Sequence, residues 1–293
     1  MSSQSEILLP SLESRITPSR FEQLSLQLIA SGLCTSRDSL IHLICSTLSG
    51  LREQDNNNAN FSTWPETLQI GVSSLCQKGL LLETSGGNVI ATSLGKAIAF
   101  SGLLPDTGMN LLNYCIQKVQ VLTTCLSNDD QSRDDDKFAF LIVSSCFASP
   151  EFKAFNGQQP TRFLPWPLGT QAIIDPSAHV DDLYESMWQA DVSPTNGAKL
   201  ILDWISGTEL RDLEGRLPSL TAGMLNEMFR NLVWTMQGLS SIIMSATDSR
   251  VPVLNRPPAL RNDEQLLNYL RQLPRAIRRL SYRISEGLPD DTL

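Results

Sequence analysis

No Gly-x-x-x-x-Gly-Lys-Ser/Thr cradle occurs in the 293 residues, so the chain lacks the glycine-rich loop with which P-loop motors hold nucleotide phosphates. ATP hydrolysis by this chain alone is therefore not expected, nor is a nucleotide or Mg²⁺ cofactor of its own. No run of about 18 apolar residues is present either, which leaves no candidate for a membrane-spanning helix. The opening MSSQSEILLPSLESR has no basic segment followed by an apolar one, the pattern of a secretory signal. The expectation is a soluble intracellular protein of cytoplasm or nucleus with no membrane partner. Histidine is scarce, at His42 and His179, and the six cysteines (Cys34, Cys45, Cys76, Cys115, Cys125, Cys146) never form Cys-x-x-Cys. A zinc site is not expected, and the thiols read as small, reduced, buried apolar residues. Gly-x-Ser-x-Gly and His-Glu-x-x-His are absent too. Of acidic clusters, Asp134-Asp135-Asp136-Lys137 alone suggests a metal-dependent nuclease, and a solvated hydrophilic loop is its plainer reading.

What is present is the composition of a folded protein: 41% hydrophobic and 18% charged residues, in a chain long enough for one large or two ordinary domains. The charge is unevenly placed. From Arg250 onward eight arginines face five acids, a net of +3, so with −8 on the whole chain the preceding residues carry −11. A field of that sign repels nucleic acid, and only local basic patches could attract it.

From Pro18 to about Ser101 the pattern reads helix, helix, helix, hairpin, helix. Phe21, Leu24, Leu28 and Ile29 recur at helical spacing before Gly32, and Thr35 or Ser36 can cap a second helix carrying Leu40, Leu43, Ile44, Thr47 and Leu48. The polar run Glu53 to Asn60 reads as a loop. Trp64-Pro65-Glu66 opens a third helix ending at Gly79, with proline in the first turn where its missing N–H costs nothing. Leu80 to Glu83 and Val89 to Thr92 are short extended runs around Ser85-Gly86-Gly87-Asn88, a hairpin signal. Three helices and a two-stranded wing make a winged helix, and the competing reading is a helical bundle with an irregular loop.

Beyond Pro105 helices alternate with polar or proline-rich loops. Gly108 to Leu126 reads as helix, Ser127 to Lys137 as an acidic loop, and Phe138 to Ala148 as an apolar run whose flanks favour a helix over a strand. Gly157 to Pro167, with three prolines, reads as a loop; Val180 to Ala190, Gly197 to Ser206 and Thr221 to Thr247 read as helices. The last of these is long enough to span about 40 Å. Its stripe Leu225, Phe229, Leu232, Met236, Leu239 and Ile243 is a core face, while Arg230, Trp234, Gln237 and Ser241 share the opposite side. Trp234 there either covers neighbouring packing or offers a flat surface to a base. A final seam, Leu266, Leu270, Leu273, Ile277, Leu280 and Ile284, repeats the spacing, with Arg271, Arg275, Arg278 and Tyr282 on another face and Pro274 as a kink or break. Guanidinium groups at one-turn intervals could follow a phosphate backbone or could pair with the acidic remainder of the protein.

Several of these stretches resemble the C-terminal, non-motor half of HELQ-type and polymerase-theta-type superfamily 2 DNA helicases. Leu12-Glu13-Ser14-Arg15 with Leu26 to Gly32 is similar to that family's first winged-helix element, and Ala91-Thr92-Ser93-Leu94-Gly95-Lys96-Ala97 through Ser101-Gly102-Leu103 and Pro105 to its wing and exit. Leu141-Ile142-Val143 with Ser149-Pro150-Glu151 resembles an early helix of its ratchet domain, Leu202-Asp203-Trp204-Ile205 a later one, and Gly223, Leu225 and Trp234 the long ratchet helix. Order and spacing over nearly the whole chain carry the likeness. It implies a mainly α fold: an extension over 1–17, a winged helix of three helices plus a small β-hairpin over 18–104, and a helical ratchet-like bundle over 105–293. It also implies that Trp234 lies beside a single-stranded DNA path. Where relatives can place an arginine two turns before this tryptophan, Glu227 stands here, with Arg230 one turn before as a substitute. The chain stops at Leu293 soon after Ser285-Glu286-Gly287-Leu288, which the resemblance reads as a fragment of a longer helicase or as a stand-alone descendant serving a motor in trans.

The resulting expectation is a non-catalytic module that guides single-stranded DNA or RNA through Trp234, Arg230, Gln237, Arg271, Arg275 and Arg278. A superfamily 2 motor, in cis or in trans, supplies ATP and Mg²⁺ chemistry. The other open reading is a scaffold of the same fold that docks a helicase or nuclease without touching nucleic acid. The third helix of the winged unit offers Glu66, Gln69, Gln77 and Lys78, a poor phosphate-facing set, and is expected to be structural rather than a reader of the major groove.

Overall fold

Side-chain caps set where five of the helices begin. Ser36, Thr92, Asp134, Thr221 and Asp263 each accept the backbone N–H three residues on, satisfying donors that a helix start leaves unpaired. The computed structural model describes residues 16–55, 63–127, 134–152, 193–214, 216 and 220–288. The chain is mainly α, with one two-stranded sheet among the described residues, and it divides into two compact units at Ala91 and Thr92.

The first unit holds α1 (Phe21–Ala30), α2 (Arg37–Cys45), α3 (Leu48–Asp55), α4 (Trp64–Gln77), β1 (Leu81–Glu83) and β2 (Val89–Ala91). The strands pair antiparallel with Leu82 opposite Ile90. One further rung precedes α2: Val89 N–H donates to the Thr35 carbonyl at 2.8 Å, and Ser36 bridges Asn88. Phe21 meets Trp64 edge to face at 4.9 Å, and Leu26, Leu40, Ile44, Leu68, Leu75 and Leu81 are all but inaccessible around them. Two charged ties brace α4. Lys78 and Ser74 both donate to Glu22 on α1, at 2.6 and 2.8 Å, and Arg37 reaches the Gln69 carbonyl and Ser73 Oγ while forking onto Glu83. The single helix expected from Leu40 to Leu48 is two. Thr47 Oγ1 accepts from Gly50 N–H and starts α3 afresh, so Glu53 to Asp55, expected in a loop, are helical.

The second unit comprises α5 (Ser93–Ser101), α6 (Pro105–Gln117), α7 (Val119–Cys125), α8 (Asp135–Phe147), α9 (Ser193–Ile205), α10 (Leu210–Glu214), α11 (Ala222–Ala246), α12 (Glu264–Leu270) and α13 (Leu273–Glu286). Helix α11 is the hub, touching α5, α6, α8, α10 and α13. Helix α8 is buried on every side from Phe138 to Phe147, which is why its sequence shows no periodicity. The acidic cluster is the start of that helix: Asp134 caps it, and Asp135 and Asp136 sit in its first turn, where carboxylates complement the helix dipole. Loop residues were expected there; only 128–133 of that stretch lie outside the described residues, together with Leu12 to Arg15, Gly157 to Pro167 and Val180 to Ala190. Glu151 caps α6 from a distance, accepting Leu104 N–H at 3.0 Å and Thr107 Oγ–H at 2.7 Å, because Leu104 has no side-chain acceptor of its own. Pro274 divides the last helical region and sits in the first turn of α13. All six cysteines are free thiols; burial pushes Cys115 up to about 12 and Cys146 upward as well, leaving both unreactive.

Trp204 on α9 locks the end of α13. Its indole N–H donates to the Ile284 carbonyl at 2.8 Å, its ring lies 5.2 Å from Phe229 on α11, and a Cβ on Gly287 would come within 2.6 Å of it. Gly287 also has φ +66°, which side chains disfavour. Gly287→Ala should therefore lower stability by about 2–4 kcal/mol in urea unfolding. Gly207→Ala, at φ +92° with open space around it, should cost only the backbone strain, about 1–2 kcal/mol.

Candidate functional site

Helices α11 and α13 run antiparallel. Ser240, late in α11, donates to the Pro274 carbonyl at the start of α13, whereas Phe229, early in α11, shares Trp204 with Ile284 at the end of α13. The six-residue stripe from Leu225 to Ile243 is buried, as are Leu273, Ile277, Leu280 and Ile284. With both apolar seams inward, the polar flanks of the two helices meet at the surface and leave a groove of about 450 Å³. Val233, Gln237 and Ser241 line one wall, and Arg278, Tyr282 and Ser285 line the other.

Of the six residues singled out in the sequence, the groove gathers Gln237 and Arg278. Arg230 is exposed on the same face of α11, seven residues before Gln237, and Arg275 is exposed one turn before Arg278. Arg271 is committed elsewhere. Its Nε donates to the Thr247 carbonyl that ends α11 and its Nη1 to Glu264 and Asn268, so it closes a helix C-terminus. Arg278 donates to the Met244 sulfur, at 3.0 Å. Among the described residues none of Arg230, Arg275 and Arg278 has a carboxylate within ion-pairing distance, in a chain with 31 acidic residues.

Trp234 is half-buried, and its indole leans on the backbone of α5: a Cβ at Gly102, which has φ +74°, would lie 3.1 Å from its Cζ2. One turn on, Gly238 brings α11 close enough to α5 that a methyl there would meet Ser101 and Leu103 at 3.0–3.1 Å. The stretches Ser101-Gly102-Leu103 and Gly223 to Trp234, far apart in sequence, thus touch through this indole. Glu227, two turns before Trp234, is half-buried. Tyr282 was legible only as a member of the arginine face; that it stands 52% exposed in a groove depends on how α13 is rolled against α11. No group of three or more His, Cys, Asp and Glu side chains among the described residues is placed to hold a metal ion.

No family model and no curated protein matches this chain. Trp234 is expected to serve packing first: Trp234→Ala should cost about 2 kcal/mol in urea unfolding, roughly half of a fully buried tryptophan truncation, and Trp234→Phe clearly less. An unfolding midpoint unchanged in Trp234→Ala would show the indole idle against Gly102.

Proposed function

We propose that this chain is a non-catalytic accessory module that guides a single-stranded nucleic acid for an ATP-driven superfamily 2 motor supplied in cis or in trans. The observation that carries this reading is the set Arg230, Arg275 and Arg278 beside the α11–α13 groove, none of which has a carboxylate partner among the described residues. An acidic protein has carboxylates to spare, and surface arginines left without one keep their charge available for phosphate. The likeness of the Ala91 to Leu103 and Gly223 to Trp234 stretches to the non-motor half of HELQ-type and polymerase-theta-type helicases supports the same role.

The first unit is, on this proposal, a winged helix, with α1, α2 and α4 as its helices, β1 and β2 as its wing, and α3 an added helix. The rung between Thr35 and Val89, which ties the start of α2 to the hairpin, supports that assignment. Its third helix serves bracing rather than base reading. Lys78 is held by Glu22 and the Gln69 carbonyl by Arg37, and Glu66, Gln69 and Gln77 make up the polar part of what α4 exposes. A protein-docking scaffold is the second reading. The exposed leucines Leu43, Leu48 and Leu51 of α2 and α3 favour it.

Binding to a single-stranded oligonucleotide, followed against salt, separates the two. Three phosphate contacts predict that log affinity falls with log salt at a slope of about −2. Replacement of Arg230, Arg275 or Arg278 by Ala should each flatten that slope by about 0.7. Absence of salt-dependent binding would leave only the scaffold. Glu66→Lys on α4 is expected to leave oligonucleotide affinity within about twofold, and a gain of tenfold or more (about 1.4 kcal/mol) would show that α4 faces phosphate.

A further inference from the structure

Within the nucleic-acid reading, on which this rests, we propose that the strand is held by Tyr282 rather than Trp234: the α11–α13 groove seats one nucleotide, its base on the Tyr282 ring and its phosphate on Arg278. Tyr282 is 52% exposed on a helix that buries Ile277, Leu280 and Ile284 on its other side, so the ring is not spent on the core. Arg278 lies one turn before it on the same wall and has no carboxylate partner among the described residues. A flat ring beside an uncompensated guanidinium matches a ligand that joins a flat base to a phosphate. The groove's 450 Å³ falls within the range of about 300–1,000 Å³ typical of small-molecule sites. Across the cleft, Gln237 offers an amide and Ser241 a hydroxyl, groups able to bond a base edge or a sugar without demanding one sequence. Trp234 cannot take this part while its indole is pressed on Gly102.

The test uses fluorescence anisotropy of labelled dU12 and U12 with the full chain and with Tyr282→Ala, Tyr282→Phe and Arg278→Ala. Tyr282→Ala should weaken binding about 5- to 150-fold, the range for one stacked base, with an unchanged salt slope. Tyr282→Phe should bind within about twofold, and Arg278→Ala should flatten the slope by about 0.7. Tyr282→Leu, which keeps an apolar cover without a π face, should show the same loss as Tyr282→Ala and serves in its place if that variant melts early. A preference for one of the two strands would tell DNA from RNA. Wild-type protein that binds neither strand overturns the nucleic-acid reading itself. Wild-type binding matched by Tyr282→Ala and Tyr282→Leu overturns the Tyr282 site while leaving the guiding role intact. Displacement of the strand by a poly-glutamate peptide, equally in wild type and Tyr282→Ala, shows a surface that recognises charge alone and likewise overturns it.

Discussion

The antiparallel seam between α11 and α13 governs what this protein can present to a ligand. Each helix hides a full apolar stripe, Leu225 to Ile243 on one and Leu273 to Ile284 on the other, and each fully buried Leu or Ile contributes about 1.5–3 kcal/mol relative to exposure. That gain sets the rotation of both helices about their axes. Once the rotation is set, Gln237 and Ser241 must face Arg278 and Tyr282 across a cleft, because those residues lie on the flanks of the same helices. The groove is a by-product of the core rather than a separate device.

Two close contacts keep that seam in place. On one side Gly102 and Gly238 let α11 approach α5 with the Trp234 indole as filler. At the far end Trp204 holds the last turn of α13, through the Ile284 carbonyl and the space that Gly287 leaves. Both use a glycine in the left-handed region, or at a backbone crossing, to admit an indole. Trp204 and Trp234 therefore act as inter-helix spacers, whereas Tyr282 stands open in the groove. The arginines split the same way. Arg271 is consumed in closing the C-terminus of α11, and Arg278, two turns on, is not.

Much of the fold could be read from residue pattern. Core stripes on α11 and α13 follow from apolar residues three and four apart, and all six members of the α11 stripe are buried. The hairpin followed from Gly-Gly-Asn between short extended runs, and the division at Pro274 from a ring that fits only a first turn. The misreadings share a cause. Thr47 and Asp134 begin helices through their own side chains, Thr47 within what reads as one continuous helix and Asp134 in a polar stretch that hydropathy reads as loop. Of the candidate site, Arg230, Gln237, Arg275 and Arg278 were legible as exposed residues on two helical faces; the tie of Arg271 to Thr247 was not legible, because the two lie 24 positions apart.

The sequence by itself determined which face of each helix turns inward, since burial free energy follows the spacing of apolar side chains along one helix and needs no knowledge of its neighbours. It likewise determined the starts of several helices, where capping is a matter of three or four adjacent residues. Which arginines keep an unpaired charge, and which aromatic fills a gap between helices or stands open in a cleft, was decided only by tertiary packing. Pairing and exposure depend on distances between groups far apart in the chain, such as Trp234 and Gly102 or Gln237 and Tyr282, and those distances exist only once the helices have docked.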